Sequence, residues 1–333
     1  MTDLPTGTDP AFPSADELLE SVVVVSLPMR VRFRGITRRE VLLVRGPGGW
    51  GEFGAFPEYE DDEAVHWLRS AIESAWVGHP PAVRSVVPVN ATVPAVDPDR
   101  VPEVLARFPG ADTAKVKVAE PGQDLAQDLA RVRAVRELVP RVRVDANGGW
   151  TVDEAVAALT ALTADAPLEY AEQPCATVPE LVAVRKRLPD VRIAADESIR
   201  RAEDPMRVVR AGGADVAVVK VAPLGGVRRL LALADELAAH GVEVVVSSAL
   251  DSAVGMSAGL AAAGALPQLP FACGLGTGGF FTADVATARR MSGGVLPVGA
   301  GVPEAGMLDA VRAAPDRAQW WFDRLRRCRA LLG

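Results

Sequence analysis

The sequence has little of what would mark a secreted, metal-thiolate, membrane or nucleic-acid-binding protein. Its three cysteines, Cys175, Cys273 and Cys328, lie far apart without CxxC or Cys/His spacing, so neither a disulfide framework nor a zinc site is indicated. No apolar run is long enough to span a membrane and no basic leader is present, so we expect a cytoplasmic protein. The net charge of −7, without a block of basic residues, argues against a nucleic-acid partner.

Lysine is also scarce, and its placement is informative. Only four of the 36 basic residues are lysine, and three of them, Lys115, Lys117 and Lys220, lie in apolar, strand-like runs. Alternation along a strand places Lys115 and Lys117 on one face. Mutual repulsion and burial would both lower a lysine pKa toward the range in which the amine can act as a base. We interpret the pair as catalytic; a strand whose lysines extend to solvent is the alternative.

Four regions follow one another along the 333 residues. Residues 1–20 are rich in Pro, Thr and Asp, which predicts disorder. Residues 21–85 predict a small α+β domain. In residues 86–285, strands and helices alternate with a repeat of about 25 residues, which is typical of a (β/α)8 barrel. Residues 286–333 end in an amphipathic helix that we expect on the small domain or the barrel exterior.

Apolar runs and turn signals set the expected elements. The small domain should contain strands over Val22–Ser26, Met29–Phe33, Arg39–Arg45 and Trp50–Phe53, with a turn at Arg34-Gly35. The expected barrel strands are Val87–Thr92, Ala114–Val118, Val142–Ala146, Leu168–Glu172, Val191–Asp196, Val216–Val221, Val242–Ser248 and Phe271–Leu275. The helices between them should be Leu125–Leu138, Val152–Leu162, Val178–Leu188, Pro205–Ala211, Val227–His240 and Ser252–Ala263.

Polar residues close successive strands of this pattern, 24 to 28 residues apart: Lys117, Asp145, Glu172, Asp196, Lys220 and Ser247. The carboxyl ends of barrel strands meet at one rim, so these groups should converge. Three uncompensated carboxylates would be costly there, and an all-oxygen donor set favours Mg²⁺, or Mn²⁺. With lysines on both sides, the arrangement predicts proton abstraction next to a carboxylate. Taken singly, each aspartate could instead cap a turn or a helix.

Five segments of the barrel resemble the enolase superfamily, in its muconate-lactonizing-like branch. They are Lys115-Val116-Lys117, Val144-Asp145-Ala146-Asn147, Ala171-Glu172-Gln173-Pro174, Ala195-Asp196-Glu197-Ser198 and Val219-Lys220, and Gly49-Trp50-Gly51-Glu52 resembles part of that family's N-terminal capping domain. The resemblance implies an α/β fold: a TIM barrel of the (β/α)8 type, modified to (β/α)7β, with residues 21–85 as capping domain. A lysine or histidine base working with Mg²⁺ is a known pairing in this superfamily.

The resemblance also implies roles for individual residues. Asp145, Glu172 and Asp196 would bind the metal. Lys117 would be the general base, Lys220 would stabilise the anionic intermediate, and Lys115 would tune its neighbour. The substrate implied is a small carboxylate, 2-succinyl-6-hydroxy-2,4-cyclohexadiene-1-carboxylate, which loses water to become aromatic in menaquinone synthesis.

Other activities stay open at this point. An N-succinylamino-acid racemase or a muconate-type cycloisomerase could use the same lysines and metal. A Schiff-base aldolase or a non-catalytic, metal-dependent carboxylate-binding protein is a more distant alternative. No Asp-x-Asp follows the last strand and no histidine lies at a strand end, which disfavours dipeptide epimerases and mandelate-type enzymes. The sequence is compatible with both a monomer and a homo-oligomer.

Substrate contacts are expected from two sources. Asn147, Ser247, Ser248 and the backbone amides near Gly274 and Leu275 should bind the substrate, the last four its succinyl carboxylate. The loops around Met29–Thr37 and Phe53–Tyr59 of the capping domain should close over the barrel mouth.

Overall fold

The computed structural model describes residues 12–33, 35–200 and 204–333. Its strands are β1 (Val22–Phe33), β2 (Ile36–Gly46), β3 (Gly49–Phe53), β4 (Val86–Pro88), β5 (Ala91–Val93), β6 (Thr113–Lys117), β7 (Arg141–Asp145), β8 (Ala171–Glu172), β9 (Ile193–Ala195), β10 (Val216–Val219), β11 (Glu243–Val246) and β12 (Val295–Pro297). Its helices are α1 (Ala15–Leu19), α2 (Asp61–Ile72), α3 (Val101–Leu105), α4 (Leu125–Arg136), α5 (Val152–Thr163), α6 (Val178–Arg187), α7 (Glu197–Arg200), α8 (Arg207–Arg210), α9 (Val221–Leu224), α10 (Val227–Ala239), α11 (Ala253–Ala265), α12 (Ala305–Ala310) and α13 (Pro315–Leu331). Across these ranges no helix combines the length and apolarity that a membrane span requires.

The capping domain is an antiparallel sheet of strand order β1-β2-β3 with α2 packed beside it. Three acidic residues in the first turn of α2 suit the positive end of the helix dipole, and Trp67 and Leu68 are buried. The two strands expected over Val22–Ser26 and Met29–Phe33 are one strand, β1, with an irregular register between Pro28 and Phe33. Of the expected turn, Arg34 lies outside the described residues.

The barrel consists of seven parallel strands in the order β5 to β11, and an eighth segment closes it. That segment, residues 271–275, joins both edges through parallel bridges between Val89 and Cys273 and between Ser247 and Gly274. Backbone hydrogen bonds fix the closure, from Asn90 N to Cys273 O (3.0 Å) and from Gly274 N to Val246 O (2.9 Å). The ring of strands is therefore complete, with no open edge at this junction.

Two expected barrel strands need particular comment, and β9 and β11 are also shorter than expected. The run Val87–Thr92 is divided: β4 pairs antiparallel with β12, Val89 and Asn90 pair with Cys273 at the barrel closure, and β5 pairs with β6. The run Leu168–Glu172 is reduced to β8, although Glu169 N and Tyr170 O still hydrogen bond to β7. The helices begin and end within a few residues of their expected limits, except that Pro205–Ala211 shortens to α8.

Both ends of the described chain pack on the capping domain. Residues 12–20, which composition predicted to be disordered, include α1, started by a capping box between Ser14 and Glu17; residues 1–11 lie outside the described ranges. In α13, Trp321 is fully buried and meets Phe53 edge to face at 5.4 Å. The buried Arg324 donates to the backbone oxygens of residues 55 and 56. The C-terminal helix thus covers the capping sheet.

Two buried charged residues of the capping domain hold the barrel loop between β11 and α11. Arg39 Nε donates to Leu250 O at 3.1 Å, and its guanidinium lies 4.2 Å from the ring centroid of Phe56. Glu52 accepts hydrogen bonds from the backbone N–H groups of Ser252 (3.0 Å) and Gly255 (3.3 Å) at the start of α11. A carboxylate at a helix N-terminus is favoured by the dipole, so this contact ties cap to barrel.

Burial and repulsion by Asp251 raise the pKa of Glu52 to about 7. The folded state therefore keeps a proton that the unfolded chain releases near its ordinary, lower pKa, so the free energy of unfolding falls as pH rises between these values. We expect Glu52→Gln to reduce this fall between pH 5 and pH 8 by about 2–3 kcal/mol. Denaturant titrations at several pH values measure it, with the exposed Glu58→Gln as control. Equal pH slopes in wild type and Glu52→Gln would contradict the assignment.

Candidate active site at the barrel mouth

A cavity of about 780 Å³ opens at the carboxyl ends of the barrel strands, where this fold places chemistry. Its lining combines residues from most of the strand ends with two from the capping domain. They include Arg30, Gly35, Thr92, Arg100, Arg107, Lys115, Lys117, Glu120, Asp145, Asn147, Asp196, Glu197, Lys220, Ser247, Ser248, Leu250, Gly274, Thr277 and Phe280. Glu172 is buried beneath Lys115, which covers it.

Three lysines and three carboxylates lie together along this face. Lys117 Nζ lies 2.6 Å from Asp145 Oδ2. Lys115 Nζ lies between two carboxylates, 3.0 Å from Asp145 Oδ2 and 2.8 Å from Glu172 Oε1. Lys220 Nζ lies 2.6 Å from Asp196 Oδ1. The six formal charges cancel, which is what permits so many ionised groups in a poorly solvated site.

Strand register explains why these side chains meet. In the parallel ladders, Lys117 pairs with Asp145, and Asp145 pairs with Glu172. Asp196 and Lys220 follow the last paired residues of β9 and β10, so the stagger of a closed barrel brings them to the same end. The spacing in the sequence therefore corresponds to neighbouring positions on one rim.

The pKa shifts differ from the sequence-based expectation. Burial alone would lower the pKa of Lys115, but the attraction of Asp145 and Glu172 outweighs it and holds the pKa well above its ordinary value. The expected lowering by lysine–lysine repulsion is therefore wrong for Lys115, because each amine faces a carboxylate. Burial likewise opposes ionisation of Asp145, yet Lys115 and Lys117 lower its pKa far below its usual range.

Glu172 is the least compensated carboxylate of the group. Burial, then repulsion by Asp145, raises its pKa to about 7. Lys115 opposes this shift, but it divides its attraction between Glu172 and Asp145, whereas Asp145 also has Lys117. The site therefore holds one carboxyl that an additional positive charge would help to ionise.

Gln173, in the Glu172-Gln173-Pro174 motif, was not predicted as a site residue. It is fully buried, and its Oε1 accepts from the backbone N–H groups of Asp196 (3.1 Å) and Ser198 (3.3 Å). Its Nε2 donates to Ser198 Oγ at 2.8 Å. Gln173 thus fixes the position of Asp196 relative to Glu172 on the neighbouring strand. In the sequence, the Glu-Gln-Pro motif was the signal that could have predicted this role of Gln173.

Backbone strain is concentrated at the same rim. Within the described ranges, the non-glycine residues with positive φ are Ala119 (58°), Asn147 (47°), Gln173 (39°) and Leu250 (64°). Each follows a barrel strand by a few residues, in a loop beside the cavity. Such conformations persist only where the surroundings enforce them, and they cluster at functional sites.

The residues predicted to bind substrate divide into two groups. Ser247, Ser248 and Asn147 line the cavity. Asn147 also accepts a hydrogen bond from Lys117 through its Oδ1, at 2.5 Å. The Gly274 amide, however, donates to Val246 O within the barrel, and Leu275 is buried against Gly259 of α11. Backbone amides at Gly274 and Leu275 were predicted to bind a carboxylate; the Gly274 amide is already used, and Leu275 lies outside the lining.

The two capping loops also behave differently. Arg30 and Gly35, from the expected Met29–Thr37 loop, line the cavity. Of the expected Phe53–Tyr59 loop, Phe53 packs on α13, and Phe56 and Tyr59 are buried against each other. That second loop was predicted at the mouth and instead forms the core beneath the C-terminal helix.

Residues 12–33, 35–200 and 204–333 contain no group of three acidic, histidine or cysteine side chains close enough together to hold a metal ion. The reason is visible in the contacts, since a lysine ammonium lies against each of Asp145, Glu172 and Asp196. The donor set nevertheless consists of buried carboxylates on three adjacent strands, which suits a hard divalent cation.

Comparison with known families agrees with this architecture. Residues 102–302 match the family described as Enolase C-terminal domain-like, and residues 24–75 match Enolase N-terminal domain-like. The chain belongs to the enolase superfamily, in its muconate-lactonizing-like branch. The expected fold, a TIM-type barrel with an N-terminal capping domain, is confirmed.

Individual relatives cover nearly the whole chain. The o-succinylbenzoate synthase of Mycobacterium tuberculosis (strain H37Rv) is 64% identical over 323 residues, 97% of this chain and 98% of that protein. The enzyme of the same name from Mycolicibacterium smegmatis is 64% identical over 320 residues, 96% of this chain and 98% of that protein. The solved muconate lactonizing enzyme from Pseudomonas fluorescens, complexed with muconolactone, superposes with a TM-score of 0.75 at 21% identity, covering 88% of this chain and 98% of that chain.

The lysine–carboxylate array predicts the effect of removing its central cation. Lys115→Met should leave Asp145 and Glu172 as neighbouring buried anions and lower the free energy of unfolding by about 3–5 kcal/mol. Chemical denaturation without added divalent ions measures this. Lys186→Met, at the exposed remaining lysine, should change it by less than about 0.5 kcal/mol. A Lys115→Met variant as stable as wild type would show that the ion pairs are not mutually dependent.

Proposed function

We propose that this protein is an o-succinylbenzoate synthase, which removes water from 2-succinyl-6-hydroxy-2,4-cyclohexadiene-1-carboxylate to give o-succinylbenzoate for menaquinone synthesis. The observation that carries the proposal is the 64% identity, over 97% of the chain, to an enzyme of that name. The lysine–carboxylate array at the barrel mouth supplies the chemical groups that the reaction needs. The substrate is thus a small dicarboxylate.

Asp145, Glu172 and Asp196 would hold a divalent cation, Mg²⁺ or in its place Mn²⁺. They are at most 3% exposed, and an all-carboxylate set selects a hard ion. When bound, the ion would make the C–H next to the substrate carboxylate more acidic by withdrawing electron density from that carboxylate. The raised pKa of Glu172 fits a carboxyl that an additional positive charge would help to ionise.

Lys117 would be the general base. Its amine lines the cavity and contacts Asp145 and Asn147, which fix its direction. Lys117 Nζ donates to Asp145 Oδ2, so a positive charge brought to Asp145 from elsewhere would weaken that contact and leave the amine to the substrate. This dependence couples proton abstraction to full assembly of the site, and Lys115, beside Asp145, would tune the same balance.

Lys220 would act from another part of the rim. It follows β10, four strands along the sheet from Lys117 on β6, so its amine faces the substrate from a different side. Lys117 would remove the proton next to the ring carboxylate, and the electron pair left behind would be stabilised by the Lys220 ammonium. Lys117, now protonated, would return that proton to the departing hydroxide. One C–H and one C–O bond break, water leaves and the ring becomes aromatic.

Activity measurements test this assignment. Lys117→Ala should lower kcat for the cyclohexadiene substrate by about 10²- to 10⁴-fold, the usual contribution of a general base. EDTA should abolish turnover, and Mg²⁺ should restore it. Lys186→Ala serves as the control, since Lys186 lies on the surface. Full activity after EDTA treatment or in Lys117→Ala would refute the proposal; racemisation of an N-succinylamino acid without dehydration would favour the racemase instead.

Metal affinity tests the role of Gln173. Because Gln173 positions Asp196 through its backbone N–H, Gln173→Ala should weaken Mg²⁺ binding by about 10- to 100-fold, as for other groups that orient metal ligands. Isothermal titration with Mg²⁺ measures the affinity directly, and the exposed Gln319→Ala is the matched control. Unchanged affinity in Gln173→Ala would show that Asp196 is not a ligand or does not depend on Gln173.

A further inference from the structure

The cavity contains more cations than the proposed chemistry uses. Besides the three lysines, its lining includes Arg30, Arg100 and Arg107. The lysines are matched by three carboxylates, so they bring no net charge to the site. The proposed substrate carries a second carboxylate, at the end of its succinyl chain, that the metal and the lysines leave without a partner.

Arg100 and Arg107 are already engaged with an acid. Both contact Glu103 on α3, Arg100 at 3.3 Å and Arg107 at 2.6 Å. Arg30 differs, because no acidic side chain in the described ranges forms an ion pair with it, and its Nε donates to Phe281 O at 3.0 Å. The two terminal nitrogens of its guanidinium are thus in position to bind an anion side by side.

The backbone around Arg30 is held in place by the barrel. Met29 forms an antiparallel bridge with Phe281, and Thr282 N donates to Pro28 O at 2.8 Å. Because this bridge fixes the backbone at Met29, it also fixes the backbone position from which the neighbouring Arg30 side chain extends. Arg30 is therefore a preorganised cation, although it belongs to the capping domain.

The wall beside Arg30 suits the succinyl chain. The Phe281 carbonyl that binds Arg30 directly follows the 3₁₀ turn Thr277–Phe280. Thr277 and Phe280 line the cavity, and Thr277 Oγ1 lies 2.6 Å from Ser248 Oγ, another lining group. This wall belongs to the seventh and eighth barrel segments, whereas Lys117 and Asp145 belong to the second and third.

We propose that Arg30 binds the carboxylate at the end of the succinyl chain and so selects for dianionic substrates. The inference rests on the proposed function and names the residue that recognises the part of the substrate remote from the chemistry. An arginine–carboxylate contact there stabilises the ground state and the transition state equally. Its loss therefore raises KM and leaves kcat nearly unchanged.

The test combines a protein change with a ligand change. Binding of o-succinylbenzoate and of its methyl ester at the succinyl end is measured by calorimetry, with Mg²⁺ present, for wild type and Arg30→Gln. Wild type should bind the diacid about 10- to 100-fold more tightly than the ester, and Arg30→Gln should bind both alike. Arg30→Gln should also raise KM for the cyclohexadiene substrate by a similar factor, and Arg30→Lys should recover part of it.

Matched variants separate the possible failures. Arg107→Gln removes a cavity arginine that is paired with Glu103, and Arg38→Gln removes a capping arginine that bonds to Ser26; both should keep the preference for the diacid. If Arg30→Gln keeps that preference, or Arg107→Gln loses it, the proposal for Arg30 is overturned. If wild type neither binds o-succinylbenzoate nor dehydrates the cyclohexadiene, the proposed function falls, and the Arg30 assignment falls with it.

Discussion

The pairing of each buried carboxylate with an ammonium group at the barrel mouth is the constraint on which the site depends. Each charge is tolerated because a neighbour of opposite sign lies within about 3 Å, and removing any one leaves its partners uncompensated in a poorly solvated place. The parallel register of β6, β7 and β8 produces these contacts directly. The fold thus holds Lys115 protonated at rest, and chemistry requires that the balance of charges around it be changed.

The capping domain contributes to the same site through contacts of two kinds. Backbone pairing between Met29 and Phe281 fixes its first strand to the eighth barrel segment. Buried side-chain contacts from Arg39 and Glu52 hold the loop that carries Leu250 in a strained conformation. Cap and barrel therefore form one mouth, and the residues that shape it come from distant parts of the chain.

The sequence was sufficient for the barrel, the cap and the rim residues, because strand ends repeat at nearly constant spacing and a closed barrel converts that spacing into proximity. It was not sufficient for the electrostatics. The predicted lowering of the Lys115 pKa was wrong because the carboxylates that face Lys115 are set by the register between strands. A single sequence does not show that register. The Gly274 amide was misassigned for a similar reason: its hydrogen bond to Val246 O exists only in the closed ring.

The local sequence pattern also predicted the wrong structure where pairing between distant segments determines it. Val87–Thr92 looks like one strand, but residues 86–88 pair antiparallel with β12, residues 89–90 pair with Cys273 and residues 91–93 pair with β6. The aromatic residues after Phe53 looked like a mobile lid, and they are core because α13 covers them. Ser14 and Glu17 carried a capping signal that overall composition obscured.

The uneven use of lysine has a practical consequence. Lys115, Lys117 and Lys220 have side chains only 11 to 16% exposed, whereas Lys186 is on the surface. Lys186 lies in the last turn of α6, and the helices of such a barrel end on the face opposite the mouth. Among the lysine side chains, amine-directed coupling to a solid support would therefore select Lys186. The immobilised molecules would then be oriented with the cavity facing the solution.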